Sequence, residues 1–495
     1  MMAKWPAAIL GLLAGTALML WPAFYNGQAF FMTDTTAYLR GADVAFSRLT
    51  GVTTAWSVPT GVAAQGSRPT SGAKSSPLAD KTVLAGRSIY YGALLYLGDR
   101  AGGEWLSIVI QAALLVLALW ATLQATNLLR WQFLAIVVVV VAVFTAAPLY
   151  ASYLLPDVFA GLIILACAVL LTCDFRGRPG LAWFWFVLLA VGLTFHTSHV
   201  LLAVLMLGVG AALWLWRRQE VMLRGLAAIG VGLLFAFGCG AAFTLAVTKL
   251  VGEPPLTPPF LMARLVDDGP GYRYLADTCP QSGFVVCGFV DRLPMQSDVF
   301  LWSQDPSPGV FMASAPPVRR ALSHEQYRFA AAVLAHDPVS QIAVSARNAL
   351  EQSVLLGATE FSYTPGSKIF FENKVPPAYF AVMRTTPAYL GTMPIGTLTV
   401  LSYLSTAVGL ACIGWVFVVA RRERGDASKR VLRITSLVVF GVVVNAAVCG
   451  ILSGPHDRYE ARVAWLIPAM ALIAHFQVYR PWWSRRLGEA PRPQN

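Results

Sequence analysis

Trp5-Pro6-Ala7-Ala8-Ile9-Leu10-Gly11-Leu12-Leu13-Ala14-Gly15-Thr16-Ala17-Leu18-Met19-Leu20-Trp21-Pro22-Ala23-Phe24-Tyr25 carries no charged side chain and is long enough to cross a bilayer as a helix. Shortly after it comes Phe30-Phe31-Met32-Thr33-Asp34-Thr35-Thr36-Ala37-Tyr38-Leu39-Arg40. The first run is too long and too aromatic at its end for a cleaved leader, and no small-x-small cleavage site follows it. It is read as a retained first span. A carboxylate just past a span sits at headgroup level, where lipid-borne substrates present their polar ends. Thr33, Thr35, Tyr38 and Arg40 flank Asp34 and are candidates to orient it or to bind its substrate.

The remainder of the chain supports this reading. Of 495 residues, 57% are hydrophobic and only 13% charged, with a mean hydropathy of +0.60. Soluble domains carry about 25% charge, so the chain is expected to be an α-helical integral membrane protein. The net charge of +12 fits cytoplasmic loops and lipid headgroups, and no nucleic-acid partner is expected. Ten segments qualify as spans: about 5–25, 104–126, 131–148, 157–173, 181–195, 199–216, 225–250, 395–420, 434–453 and 461–479.

Loop charge sets the orientation. One set of span ends holds Lys4, Arg130, Arg176, Arg178, Arg217, Arg218 and Arg224. It continues with Arg421, Arg422, Arg424, Lys429, Arg430, Arg433, Arg480, Arg485 and Arg486. The opposite short loops, Tyr150–Pro156 and His196–Ser198, hold no Lys or Arg. Both termini are therefore expected in the cytoplasm of an inner-membrane, multi-pass protein. The expected organisation is a seven-span region, 1–250, with a long outer loop, 26–103. An extracytoplasmic lobe, 251–393, and a three-span region, 394–495, with a basic cytoplasmic tail follow. Cys279 and Cys287 lie together in the lobe, where an oxidising compartment permits a disulfide. The other five cysteines lie in or beside apolar runs.

Chemistry-bearing residues gather on the expected outer side. Thr33–Arg48 and Ser88–Leu97 have the patterning of helices lying on the membrane surface. Gly51–Pro77 between them, rich in Gly, Ser, Thr and Pro, reads as a mobile loop. Arg68, Lys74, Lys81 and Arg87 stud this region as candidates for phosphate or anionic headgroups. Pro156-Asp157 opens the fourth span, where the carboxylate either serves the helix dipole or faces Asp34 as a second acid. His196 and His199 share a helix face, more suited to contacting substrate than to holding a metal. Asp267-Asp268 before Gly269-Pro270-Gly271 reads as a turn. The last outer turn, His456-Asp457-Arg458-Tyr459-Glu460-Ala461-Arg462, crowds five ionisable groups beside hydrocarbon, which marks it as functional. The bland alternative there is a salt-bridge knot, Asp457 with Arg458 and Glu460 with Arg462.

An acid after the first span, a long first outer loop with surface helices, an acid at the third-to-fourth span turn and Arg458-Tyr459 leading into a Pro468-containing span form a plan. It resembles the GT-C class of membrane glycosyltransferases, with the protein O-mannosyltransferases and the lipid A aminoarabinose transferase as distant relatives. The resemblance implies a GT-C fold of about ten spans and transfer of a sugar, with inversion, from a polyprenyl-phosphate-linked donor. It implies Asp34 as the base and Asp157 as an assisting acid. The donor phosphate would lie on Arg458 and Arg462, joined by Arg87 and Lys81. Tyr38, Arg40, His196, His199, His456, Asp457 and Tyr459 would bind substrate, and the acceptor would be a glycan, a lipid or a protein. No cofactor is expected. Asp34 is followed by Thr35 where the family commonly has a second acid, which argues against metal-dependent chemistry and weakens the assignment of a second acid; a divalent metal stays open only as an exception. Asp43 is the substitute base.

Two other classes compete. A lipid or glycan flippase would show internal repeats and ionisable or broken sites at mid-membrane, whereas here the chemistry clusters at one face. Another membrane transferase, an acyltransferase or a polymer ligase, would suit the large outer loop and the late His and Arg.

Overall fold

The computed structural model describes residues 5–57, 81–217, 221–420, 426–479 and 482–483. Lys4, Arg68, Lys74, Arg218, Arg421, Arg422, Arg424, Arg480, Arg485 and Arg486, and positions 58–77 of the expected mobile loop, lie outside the described residues. The helices that frame the argument are α1 (Trp5–Met19), α2 (Thr33–Thr50), α3 (Ile89–Gly102), α4 (Glu104–Ala125), α5 (Trp131–Phe144), α6 (Asp157–Thr172), α7 (Pro179–Leu193), α8 (Thr197–Trp216) and α9 (Leu223–Val251). After the lobe helices α10 (Pro316–His336) and α11 (Pro338–Ser353) come α12 (Ile395–Ala420), α13 (Asp426–Leu452), α14 (Asp457–Ala464) and α15 (Leu466–Val478).

Among the described residues six helices are long and apolar enough to cross a membrane: α4, α8, α9, α12, α13 and the α14–α15 pair, continuous as Asp457–Val478. The chain is thus an α-helical, multi-pass membrane protein. The other four expected spans are apolar helices of 10–17 residues. Prolines account for two of the shortfalls. α1 stops at Met19 and the chain restarts as Trp21–Asn26, with Pro22 in its first turn. α5 stops at Phe144, before extended Thr145 and a restart at Ala147–Ala151 around Pro148. A proline ring removes the donor a continuing helix would need.

α6 is the axis of the bundle. All 16 of its residues are buried, and α4, α7, α8, α9, α13 and α14 pack around it. At 1.5 Å per residue it is only about 24 Å long, shorter than the hydrocarbon layer, and protein rather than lipid surrounds it. Gly225 opens α9 directly against the Leu170 carbonyl, a contact that leaves no room for a Cβ.

The lobe has a core of its own, with Met262, Val266, Leu275, Phe300, Phe311 and Phe329 at its centre. Cys279 and Cys287 form a disulfide there. Asp267 and Asp268 end a helix, Phe260–Asp267, rather than form a free turn. Arg264 reaches both carboxylates, at 3.3 Å and 2.5 Å, and Asn348 Nδ2 donates to Asp268 (2.9 Å). Burial raises the Asp268 carboxyl above its usual range, with Arg264 opposing.

Candidate functional site

Two short extended pairings, each joining distant parts of the chain, build the site. Phe30 pairs with Tyr153 in parallel: Phe30 N–H donates to Ser152 O (2.9 Å) and Leu154 N–H to Phe30 O (3.0 Å). The first turn of α2 is then fixed on the same loop. Thr35 accepts from Met32 N–H (3.0 Å) and donates to Leu154 O (3.1 Å). Asp34 in that turn is thereby held near Asp157, which opens α6 three residues beyond Leu154. The second pairing, Leu84 with Leu256, anchors the stretch carrying Arg87 to the entrance of the lobe.

Arg87 Nη2 lies 2.5 Å from Asp34 Oδ1, and each side chain remains 24% exposed. The guanidinium also stacks over Trp302, 5.9 Å from the ring centre. Burial would drive the Arg87 guanidinium to lose its proton, but Asp34 overrides it and the group is held above its usual value. Tyr38, four residues after Asp34 and so on the same helix face, is buried. Burial raises its phenol, with Arg87 opposing and Asp34 adding. Tyr38 is therefore a neutral hydroxyl.

The floor beside this rim is dry. Asp157, 3% exposed, accepts from Arg462 Nη1 (3.1 Å) and lies 3.4 Å from Arg458 Nε. The alternative knot, Asp457 with Arg458 and Glu460 with Arg462, gives way to this three-way pairing. Asp157 thus ties both arginines to the start of α6. Arg462, 3% exposed, also donates Nη2 to Asn445 Oδ1 (3.2 Å), and Asn445 Nδ2 donates to Glu460 (2.9 Å). Arg462 is thus sealed into the floor. Arg458, 12% exposed, faces the rim and touches Met32 Sδ at the start of α2. The Tyr459 ring lies 5.0 Å from the Arg458 guanidinium and 5.4 Å from that of Arg462, a cation–π clamp that fixes both.

His196 caps α8 by accepting from Ser198 N–H (3.1 Å). Burial, with His199 and the three nearby arginines Arg462, Arg87 and Arg458, lowers its imidazole well below the usual value. It is a neutral neighbour of the arginines, not a cation. His199 lies 5.6 Å away, ring to ring; its Nδ1 meets Gly192 O (2.9 Å), while its buried Nε2 has no hydrogen-bond partner. Among the described residues no group of three or more His, Cys, Asp or Glu side chains is arranged to hold a metal ion.

Several expected site residues lie elsewhere or serve as ties. Arg40 donates to Lys374 O (2.6 Å), away from the Asp34 face. Lys81 lies by Gly252, at the end of α9, where a cation meets free helix carbonyls. Asp457 accepts from Gly357 N–H (3.1 Å) and the Thr359 hydroxyl (2.9 Å). His456 exchanges both backbone hydrogen bonds with the Gln352 amide, each at 2.9 Å. Asp43 is bound by the hydroxyls of Thr54 (2.7 Å) and Ser57 (2.5 Å).

Asn445 is the member of the site that sequence reasoning passed over. Its signal is present: one amide within Val442-Val443-Val444-Asn445-Ala446-Ala447-Val448, in the middle of a span. No family model, curated protein or solved structure matches the chain.

Proposed function

We propose that the protein is a GT-C-like membrane glycosyltransferase that moves a sugar from a polyprenyl-phosphate-linked donor to an acceptor hydroxyl, with inversion. One observation carries this reading: four distant segments converge so that a partly exposed carboxylate, Asp34 paired with Arg87, shares one end of an apolar helix bundle with Arg458 and Arg462, which Asp157 holds. Such a site offers a base and a phosphate seat at the membrane boundary. In this reading the four shorter apolar helices count with the six longer ones as ten spans, both termini lie in the cytoplasm and the site opens on the outer face. Loop charge and the lobe disulfide support that orientation.

In this reading the site residues divide the work of the reaction. The acceptor oxygen attacks the anomeric carbon while Asp34 takes its proton. The bond from that carbon to the phosphate oxygen breaks, and the lipid phosphate leaves with the electron pair. Arg458 stabilises the charge it gains. Arg87 competes for the same phosphate, so donor binding draws it off Asp34 and frees the base. Arg462 and Asp157 hold Arg458 in place without touching the donor.

The test is transfer by the purified protein in nanodiscs, with a panel of polyprenyl-phosphate sugars and loss of sugar-lipid as the readout. Wild type consumes at least one donor and Asp34→Asn does not, while still folding and inserting. Equal consumption by the variant overturns the assignment of Asp34. Movement of a labelled sugar-lipid across vesicles with no loss of the sugar overturns the transferase in favour of a flippase.

A further inference from the structure

α11 is built inside out. At about 100° per residue, Val339, Ile342, Ala346 and Leu350, with Val354 just past its end, fall within one arc of about 120°. The large ones are openly exposed: Val339 78%, Ile342 63%, Leu350 71% and Val354 60%. The opposite face carries Gln341, Asn348 and Gln352, all buried. Each of these amides is used: Gln341 donates to Ser345 (3.2 Å), Asn348 to Asp268 and Gln352 to His456 O. A helix of a water-soluble lobe has the reverse pattern. Its neighbour α10 follows the ordinary rule and buries Leu322, Phe329 and Val333.

We infer that the exposed face of α11 lies in the acyl chains of the bilayer, so that the lobe is partly sunk into the membrane and does not stand clear of it. Continuity with the spans argues for lipid over another occupant. α11 packs along α13, where Gly450 meets the Asn348 carbonyl without room for a side chain. Its end is tied to α12, with Tyr403 Oη donating to Val354 O (2.7 Å) and accepting from Leu356 N–H (3.3 Å). Tyr403 stands eight residues into α12, about 12 Å along its axis, where Val400, Leu404 and Val408 are themselves exposed. The apolar arc of α11 thus extends the exposed apolar surface of a span.

The charges agree. Arg347 and Glu351, exposed and four residues apart, occupy the flank between the apolar arc and the amide face. That is where a helix lying at the interface meets headgroups and water. Lipid on one side and α13 on the other leave Gln352 a fixed distance from the bilayer. Gln352 in turn holds the His456 peptide, two residues before Arg458. The height of the arginine seat above the hydrocarbon is set by α11, whatever reaction the site performs.

The experiment uses the full chain in nanodiscs containing a phospholipid with a diazirine in mid-chain, followed by peptide mass spectrometry. Adducts on α11 at Ile342 and Leu350, at a level comparable with Leu404 and Val408 of α12, are expected. Labelling of α12 with none on α11 overturns the inference. Hydroxyl-radical oxidation of Leu350 and Ile342 to the level of the lobe surface residue Tyr327 overturns it too. Cross-links between α11 of two copies in place of lipid adducts would assign the face to a dimer and overturn it as well.

Discussion

Asp34 and Asp157 are the same residue type, each near the start of a helix and each paired with arginine, yet they occupy opposite situations. Asp34 is a quarter exposed and has one guanidinium partner, Arg87, itself a quarter exposed. Asp157 is sealed and has two, one of them sealed with it. Removing one partner of a buried ion pair leaves an uncompensated charge out of water, whereas the Asp34–Arg87 pair already meets solvent. In the proposed reaction this difference would separate the carboxylate that does the chemistry from the one that holds the arginines in place.

The largest effect is expected at the rim. Asp34→Asn should lower the transfer rate by about a hundredfold to ten-thousandfold, the usual contribution of a general base. The thermal unfolding midpoint in detergent should hardly move, because the pair it breaks is partly exposed and worth little. At the floor the balance reverses. Asp157→Ala should destabilise the protein by about 3–5 kcal/mol, read as a fall in unfolding midpoint, with loss of activity following loss of structure. If Asp157→Ala kept its stability while Asp34→Asn unfolded, the two roles would have to be exchanged.

The two floor arginines sharpen the comparison further. Arg458→Lys keeps the charge but loses the planar fork that suits a phosphate. The loss of a charged hydrogen bond, about 1.5–3 kcal/mol, should raise the KM for donor about tenfold to a hundredfold with a smaller change in kcat. Arg462→Lys should instead lower the unfolding midpoint with little change in KM. Equal KM effects from both would mean that Arg462 touches the donor after all.

The sequence made some of this legible and not the rest, for definite reasons. Helix positions followed from apolar runs, and α2 and α3 occur where patterning placed them. That Asp34, Asp157, Arg458 and Arg462 belong together was readable because charge beside hydrocarbon is rare and therefore informative. Partner choice was not readable. Asp457 and Glu460 lie next to the arginines in sequence, but helix direction turns Asp457 outward to Gly357 and Thr359, while Asp157 arrives from 300 residues away. Arg40 and Lys81 were assigned by proximity along the chain. A helix face and a loop anchor carried them elsewhere. The inverted polarity of α11 was hidden for a related reason: amphipathic spacing shows that a helix has two faces, not which one meets lipid.

The smallest expected effect belongs to Asp43. It lies nine residues after Asp34, and nine steps of about 100° place it half a turn away, on the far face of α2. Both of its oxygens are taken by hydroxyls of the Thr54–Ser57 turn. Asp43→Asn keeps one acceptor oxygen and offers an amide to the other hydroxyl, which can itself accept. The loss should be about 1 kcal/mol, confined to the turn and visible as faster proteolytic nicking near 51–57. Sugar transfer should stay within about threefold of wild type, since a general base contributes orders of magnitude more. A loss as large as that of Asp34→Asn would show that the face of α2 turned toward Thr54 is the working one, and the division between wet and dry carboxylates would have to be redrawn around Asp43.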